Sequence, residues 1–143
     1  MRSLAIAVAL CALGLLAPGA TAASARSSLE VGKSRYGPVL YDGRGFVLYA
    51  FTRDRQGRSR CSGACAQAWP PYLVPGAVRA GTGARQSLMA TVRRADGSKQ
   101  VTYAGRPLYY YAGDRKPGQI LCQNVSEFGG LWLVVRANGA PVR

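Results

Sequence analysis

The chain contains no histidine. That absence excludes Ser-His-Asp and Cys-His activation of a nucleophile, histidine-bearing zinc sites and histidine-ligated haem. Acidic residues are scarce as well: Glu30, Asp42, Asp54, Asp96, Asp114 and Glu127 are the six in 143 residues. Asp42 and Asp96 each precede glycine and are explained as turn formers, so a paired-carboxylate hydrolase would have to use Asp54 with Asp114. There is no glycine-rich phosphate loop and no dinucleotide fingerprint. These absences point to a protein that is not an enzyme and needs no cofactor.

The one long apolar run is N-terminal. Arg2, the segment Leu4 to Leu16, then Pro18-Gly19 and small residues have the charge, length and small-residue pattern of a secretory signal peptide, too short for a spanning helix. Ala20-Thr21-Ala22 and Ala23-Ser24-Ala25 both offer a cleavage site; the second makes residues 1–25 the signal. Cys11 lies within the apolar run behind Leu10, whereas a lipidated cysteine needs a small residue before it, so no lipid anchor is expected. The expected product is exported, secreted or periplasmic, monomeric and without a transmembrane segment. About 118 residues remain, enough for one compact domain. Ser27 to Tyr36 is polar and reads as a frayed start, giving a flexible linker over 26–35 and a folded domain over 36–143.

Within that domain a unit recurs. Gly45-Phe46-Val47-Leu48-Tyr49-Ala50-Phe51-Thr52-Arg53-Asp54 is echoed by Gly105-Arg106-Pro107-Leu108-Tyr109-Tyr110-Tyr111-Ala112-Gly113-Asp114. The i, i+2 spacing places Tyr49 with Phe51, and Tyr109 with Tyr111, on one face of a strand. The two strands are therefore equivalent elements of a pseudo-symmetric domain, with copies over about 36–75 and 86–136, neither able to bury its apolar face alone.

Strand, turn, strand is read at Val39 to Thr52, where Asp42-Gly43 supplies the positive φ of a tight hairpin, and again at Leu88 to Tyr103 around Asp96-Gly97. Leu131 to Val135 is the closing strand. The stretch Cys61 to Trp69, stopped by Pro70-Pro71, has helical character. The fold class is all-β: two tandem hairpin or meander repeats with one short helical turn.

Asp54 and Asp114 occupy identical places in the copies, which suggests a shared structural duty, accepting hydrogen bonds from the amides of the following loop. The eight tyrosines, with Tyr109-Tyr110-Tyr111 contiguous, read as core and strand-face packing before they read as an aromatic binding surface.

The formal charge of +13 falls to +12 once Arg2 is removed, and it is carried largely by arginine. Arg53, Arg55, Arg58 and Arg60 lie within eight residues after the first aromatic strand. One reading is a basic loop that meets an anionic envelope polymer or acidic lipid headgroups; the other is a solvated surface. Nucleic acid is the reflex partner of a basic protein, but export argues against it.

Three cysteines follow the signal: Cys61, Cys65 and Cys122. In an exported protein a disulfide is the default. Cys61 and Cys65, four apart on a helical turn, are within reach of each other. A bridge from either to Cys122 would close a loop of roughly sixty residues and stabilise by about 4 kcal/mol, so loop closure favours a bridge that uses Cys122. The alternatives are thiol redox chemistry or a three-thiolate site for a soft metal such as Cu(I).

These segments together resemble the bacterial secreted-repeat lipoproteins. Tyr49 to Asp54 and Tyr109 to Asp114 match that family's Y-x-(F/W/Y)-x-x-D motif, and Cys61-Ser62-Gly63-Ala64-Cys65-Ala66-Gln67-Ala68-Trp69-Pro70-Pro71 is similar to its C-x-G-x-C-A-x-x-W-P-P segment. Gly105 to Tyr109 and Phe128 to Val135 are similar to its second-repeat entry and closing strand, so the resemblance spans about residues 36 to 136. It implies an exported all-β tandem repeat and no particular activity. The chain departs from the pattern in lacking a lipobox, so anchoring does not carry over, and in having Cys122 where relatives have glycine.

Overall fold

Side chains alternate across a β-strand, and the two central strands of this protein bury both faces. The computed structural model describes residues 28–143; the expected signal peptide, its cleavage site and Cys11 lie outside the described residues. Strand β2 (Val39–Asp42) and strand β3 (Tyr49–Phe51) are buried at every position. Val39, Tyr41, Val47, Tyr49 and Phe51 point into one apolar cluster with Trp69, Tyr109 and Trp132. The intervening Leu40, Leu48 and Ala50 enter a second cluster with Leu29, Tyr72, Val101, Tyr103 and Leu108. A continuous apolar run is therefore read twice, once by each core.

Three small sheets supply this layer. β1 (Ser28–Gly32) pairs antiparallel with β2 and parallel with β4 (Arg79–Ala80). A 3-10 turn over Gln86–Leu88 leads into β5 (Met89–Arg93), which pairs with β6 (Lys99–Tyr103), itself paired with the two-residue β7 (Arg106–Pro107). β8 (Val125–Glu127) and β9 (Gly130–Val134) form the last hairpin, and β9 also pairs with β3. Isolated bridges at Tyr49 with Tyr109, Pro71 with Tyr109 and Val39 with Arg136 join the sheets. The single α-helix among the described residues, α1 (Ala64–Ala68), ends at Trp69 ahead of the two prolines, within the stretch where helical character was expected.

The all-β class and the two tandem copies stand as read from the sequence. Three expectations are corrected. The second aromatic strand, expected through Tyr109 and Tyr111, is not formed: β7 stops at Pro107, and Tyr109 makes isolated bridges to Tyr49 and Pro71, because Pro107 and the crossing of the two copies leave it no continuous ladder. The segment assigned to a flexible linker carries β1: Leu29 is fully buried, and the register Leu29 opposite Asp42 to Gly32 opposite Val39 ties it to the core. Its alternation is masked in the sequence by flanking serine, glycine and lysine. In the first hairpin, Gly45 and not Gly43 takes the positive φ, at 85°. Asp42 Oδ1 accepts the amides of Arg44 and Phe46, which widens the turn, while Gly43 packs against the Ser28 hydroxyl. At the second hairpin Gly97 does take the positive φ, at 84°.

The copies interlock. Tyr49 and Tyr109 exchange both backbone hydrogen bonds, N to O, at 2.9 Å each. Around this pair the contacts repeat with the copies exchanged: Phe51 stacks on Trp132 at 4.1 Å, and Tyr111 lies on Trp69 at 4.7 Å. Tyr49 meets Trp69 edge-on at 5.3 Å and Tyr109 meets Trp132 edge-on at 5.1 Å. Trp69 and Trp132 stack on each other at 4.1 Å, 3° from parallel. The tyrosines and Phe51 named by the repeat thus form core, and Tyr49, Phe51, Tyr109 and Tyr111 share one face as their spacing required.

Candidate functional site

Each repeat aspartate lies three residues past the second motif aromatic, Phe51 or Tyr111, and has two partners. Asp54 Oδ1 accepts the Arg60 amide at 2.7 Å, and Asp114 Oδ1 accepts the Leu121 amide at 3.0 Å. These are the loop amides the sequence called for. The second oxygen crosses to the other copy: Tyr49 donates to Asp114 Oδ2 at 2.7 Å, and Tyr109 donates to Asp54 Oδ2 at 2.7 Å. Burial pushes both carboxyls up, Asp54 to about 6, against the lowering effect of Tyr109, the Arg60 amide, Arg94 and Arg60. Asp54 and Asp114 are thus engaged by the fold and are not a free catalytic pair.

The first copy adds a polar network that the second lacks. The Tyr109 hydroxyl also shares a hydrogen bond with Ser59 Oγ at 2.7 Å. Arg94, at the C-terminal end of β5, donates to Ser59 Oγ at 2.9 Å, to Gln100 Oε1 at 2.7 Å and to the Cys61 carbonyl at 2.7 Å. Gln100 is fully buried and donates in turn to the Leu108 carbonyl. Every acceptor that Arg94 hydrogen-bonds is neutral, and its Nε is buried without a partner. Ser59, Arg94 and Gln100 escaped the sequence reading because no motif joins them; they meet only when the loop after Asp54 folds over β5 and β6.

That fold-over leaves an open groove of about 960 Å³ between residues 57–63 and the β5–β6 turn, lined by Arg58, Ser59, Arg60, Ser62, Arg93 and Arg94 among others. The four arginines of the basic loop do not act as one patch. Arg55 and Arg58 face each other across a tight turn, their backbones bonded in both directions at 3.2 and 2.9 Å. Arg53 lies against Gly129 and Gly130 at the β8–β9 turn, away from the groove. Arg58 and Arg60 line the groove, and Arg55 opens instead on a smaller hollow of about 150 Å³ beside Gln56 and Arg106. All four side chains are exposed. Among the described residues the single ion pair is Arg44 with Asp42, at 2.8 Å.

The cysteines correct the loop-closure expectation. Cys61, in the loop ahead of α1, bonds to Cys65 in its first turn, with Cα atoms 5.2 Å apart, and Cys122 is free and half-buried. Local geometry decides the pairing, through a bend and not the helical turn expected: Cys61 precedes α1, and the chain turns at Gly63, φ 55°, to bring it back to Cys65. Cys122 follows the residue whose amide binds Asp114, as Cys61 follows the one whose amide binds Asp54, so it is the counterpart of Cys61 with no counterpart to Cys65. With this pairing Cys122 is the one free thiol among the described residues, where no group of three or more cysteines, acids or histidines stands together. Burial also raises the Cys122 thiol.

The profile of the family described as a secreted repeat of unknown function matches residues 31–72 and 90–136, the two copies that interlock around Tyr49 and Tyr109. The chain belongs to this secreted-repeat family. Both matched segments end past a stacked tryptophan, and each holds one copy of the aromatic motif with its aspartate. No curated protein and no solved structure matches the chain. Among the described residues no helix is long and apolar enough to cross a membrane.

Proposed function

We propose that this secreted-repeat protein is a non-enzymatic module that binds an anionic component of the cell envelope, polymer or lipid headgroup, through the arginines of residues 53–60. One observation carries the reading. Five of the six carboxylates are hydrogen-bonded to other side chains, Asp42 to Arg44 and Tyr110, Asp54 to Tyr109, Asp96 to Ser98, Asp114 to Tyr49 and Glu127 to Trp69, and only Asp42 forms an ion pair among the described residues. The exposed guanidinium groups of Arg53, Arg55, Arg58 and Arg60 are left without carboxylate partners, and although they are spread over different parts of the surface, their summed positive field draws oppositely charged ligands.

The reading predicts binding to isolated envelopes that weakens steeply as salt rises, because exposed charges are screened. Charge reversal at Arg55 and at Arg58 should weaken that association; if both variants bind like the parent at low salt, the basic-loop reading is wrong. A thiol redox role finds less support. Reactive cysteines occupy partly exposed, electropositive surroundings, whereas Cys61 and Cys65 are buried. That role would require cysteine substitution, and not charge reversal, to abolish the phenotype.

A further inference from the structure

We infer that the groove between residues 57–63 and the β5–β6 turn seats a linear oxyanion polymer, held from both copies at once: Arg58 and Arg60 on one wall, Arg93 and Arg94 on the other. This rests on the reading above and narrows it, from a basic loop to a two-walled site and from any anionic surface to an extended chain. Two of the four cations, Arg93 and Arg94, belong to the second copy and lie outside the loop that the sequence singles out. A single copy would supply one wall only.

The walls differ in kind. Arg94 is fixed: three neutral acceptors hold its guanidinium, so its position is set before a ligand arrives while no hydrogen-bonded carboxylate cancels its charge. A cation already ordered costs a ligand little additional entropy to engage. Arg58 and Arg60 are exposed and free to adjust, Arg93 is exposed with one guanidinium nitrogen donating to the Gly97 carbonyl of its own turn at 2.9 Å, and the planar guanidinium fork suits oxyanions bidentately. The one acid at the rim, Asp96, is turned into its own loop, where its Oδ1 accepts both the amide and the hydroxyl of Ser98. The Cys61–Cys65 bridge pins the loop at the groove floor, and the Cys61 carbonyl is one of the anchors of Arg94.

Shape selects the chain over the membrane. The site is concave, and a volume of about 960 Å³ admits several units of an extended polymer, whereas a flat headgroup layer would meet only its rim. Membrane docking also uses exposed apolar side chains. The three large ones here, Leu73, Leu121 and Phe128, all lie outside the groove.

The test titrates the exported full chain with inorganic polyphosphate at low salt, in parallel with vesicles of phosphatidylglycerol and phosphatidylcholine, comparing wild type with Arg60→Glu, Arg93→Glu and the distant control Arg115→Glu. All three side chains are exposed, so wild-type melting is expected and is checked by thermal unfolding. The expected result is saturable polyphosphate binding that drops roughly tenfold or more for Arg60→Glu and for Arg93→Glu, the scale of a charge-assisted hydrogen bond, with a far smaller change for Arg115→Glu. An equal loss in all three would mean a diffuse field and would overturn the groove. So would binding to the vesicles alone. If reversal at Arg55 and Arg58 weakens envelope binding while Arg93→Glu binds polyphosphate like wild type, the basic-loop reading survives and the groove does not; if none of these changes matters, both fall.

Discussion

Tyr49 of the first copy donates its phenolic proton to Asp114 of the second at 2.7 Å, and both groups are buried. The reciprocal bond, Tyr109 to Asp54 at the same 2.7 Å, makes the two copies mutually dependent. A carboxylate taken out of water is tolerated when hydrogen bonds replace its hydration. Each aspartate obtains one such bond from its own loop and one from the opposite copy, so the motif tyrosine and aspartate serve different copies. Tyr49→Phe should therefore cost about 2 kcal/mol in chemical denaturation, in the range of a hydrogen bond to a charged group. In a double-mutant cycle Tyr49→Phe should couple to Asp114→Asn but add independently to Asp54→Asn. Full additivity with Asp114→Asn would show that the crossing bond contributes nothing.

The buried carboxyls set a pH dependence of unusual sign. Asp54 is raised from its ordinary value near 3.8 to about 6, and Asp114 is raised in the same direction by burial. Between those values the native state holds more protons than the unfolded chain, so stability falls as pH rises. The contribution is fully present below about pH 4 and is lost as pH passes through about 6. Melting temperature should rise when the protein is taken from neutral pH into this window, and Asp54→Asn should flatten the rise. A melting temperature that falls steadily from pH 7 to pH 4 in the wild type, with no difference in Asp54→Asn, would contradict the assignment.

Much of this architecture was legible because the repeat is written in residue types that pair by position. The echo of Tyr49 in Tyr109 and of Asp54 in Asp114 marked the two copies, and their i, i+2 aromatics declared a common face. The aspartates' loop amides followed from their place after the motif aromatics. Their crossing to the opposite tyrosine did not, because register between the copies depends on β3 pairing with β9, a contact spanning some eighty residues. β1 was hidden for a similar reason: only Leu29 within it is fully committed to the core, and its partner strand lies across a polar turn. The groove was half visible. The run Arg53 to Arg60 stands out in the sequence, whereas Arg93 and Arg94 look like the ends of an ordinary hairpin until the first copy's loop closes over them.

The disulfide provides a covalent check. Peptide mapping under non-reducing conditions should recover Cys61 linked to Cys65 and Cys122 as a free thiol. Replacing both Cys61 and Cys65 with serine should destabilise by about 2 kcal/mol, the loop-entropy scale for so short a ring, while Cys122→Ser should have a much smaller effect. The double substitution should also weaken anion binding, since it frees the loop that forms one wall of the groove. A peptide joining Cys122 to either partner would contradict this pairing.

The central claim, that arginines left without carboxylate partners bind an anionic chain, is tested most directly by the salt dependence of polyphosphate affinity. Each cation that neutralises a polymer charge releases condensed counterions, so the logarithm of the binding constant should fall linearly with the logarithm of salt concentration. Measured by titration calorimetry between about 50 and 200 mM salt, the wild type should show a steep negative slope that becomes shallower in Arg93→Glu and in Arg60→Glu. A slope near zero, or one that none of the groove arginines alters, would contradict the account.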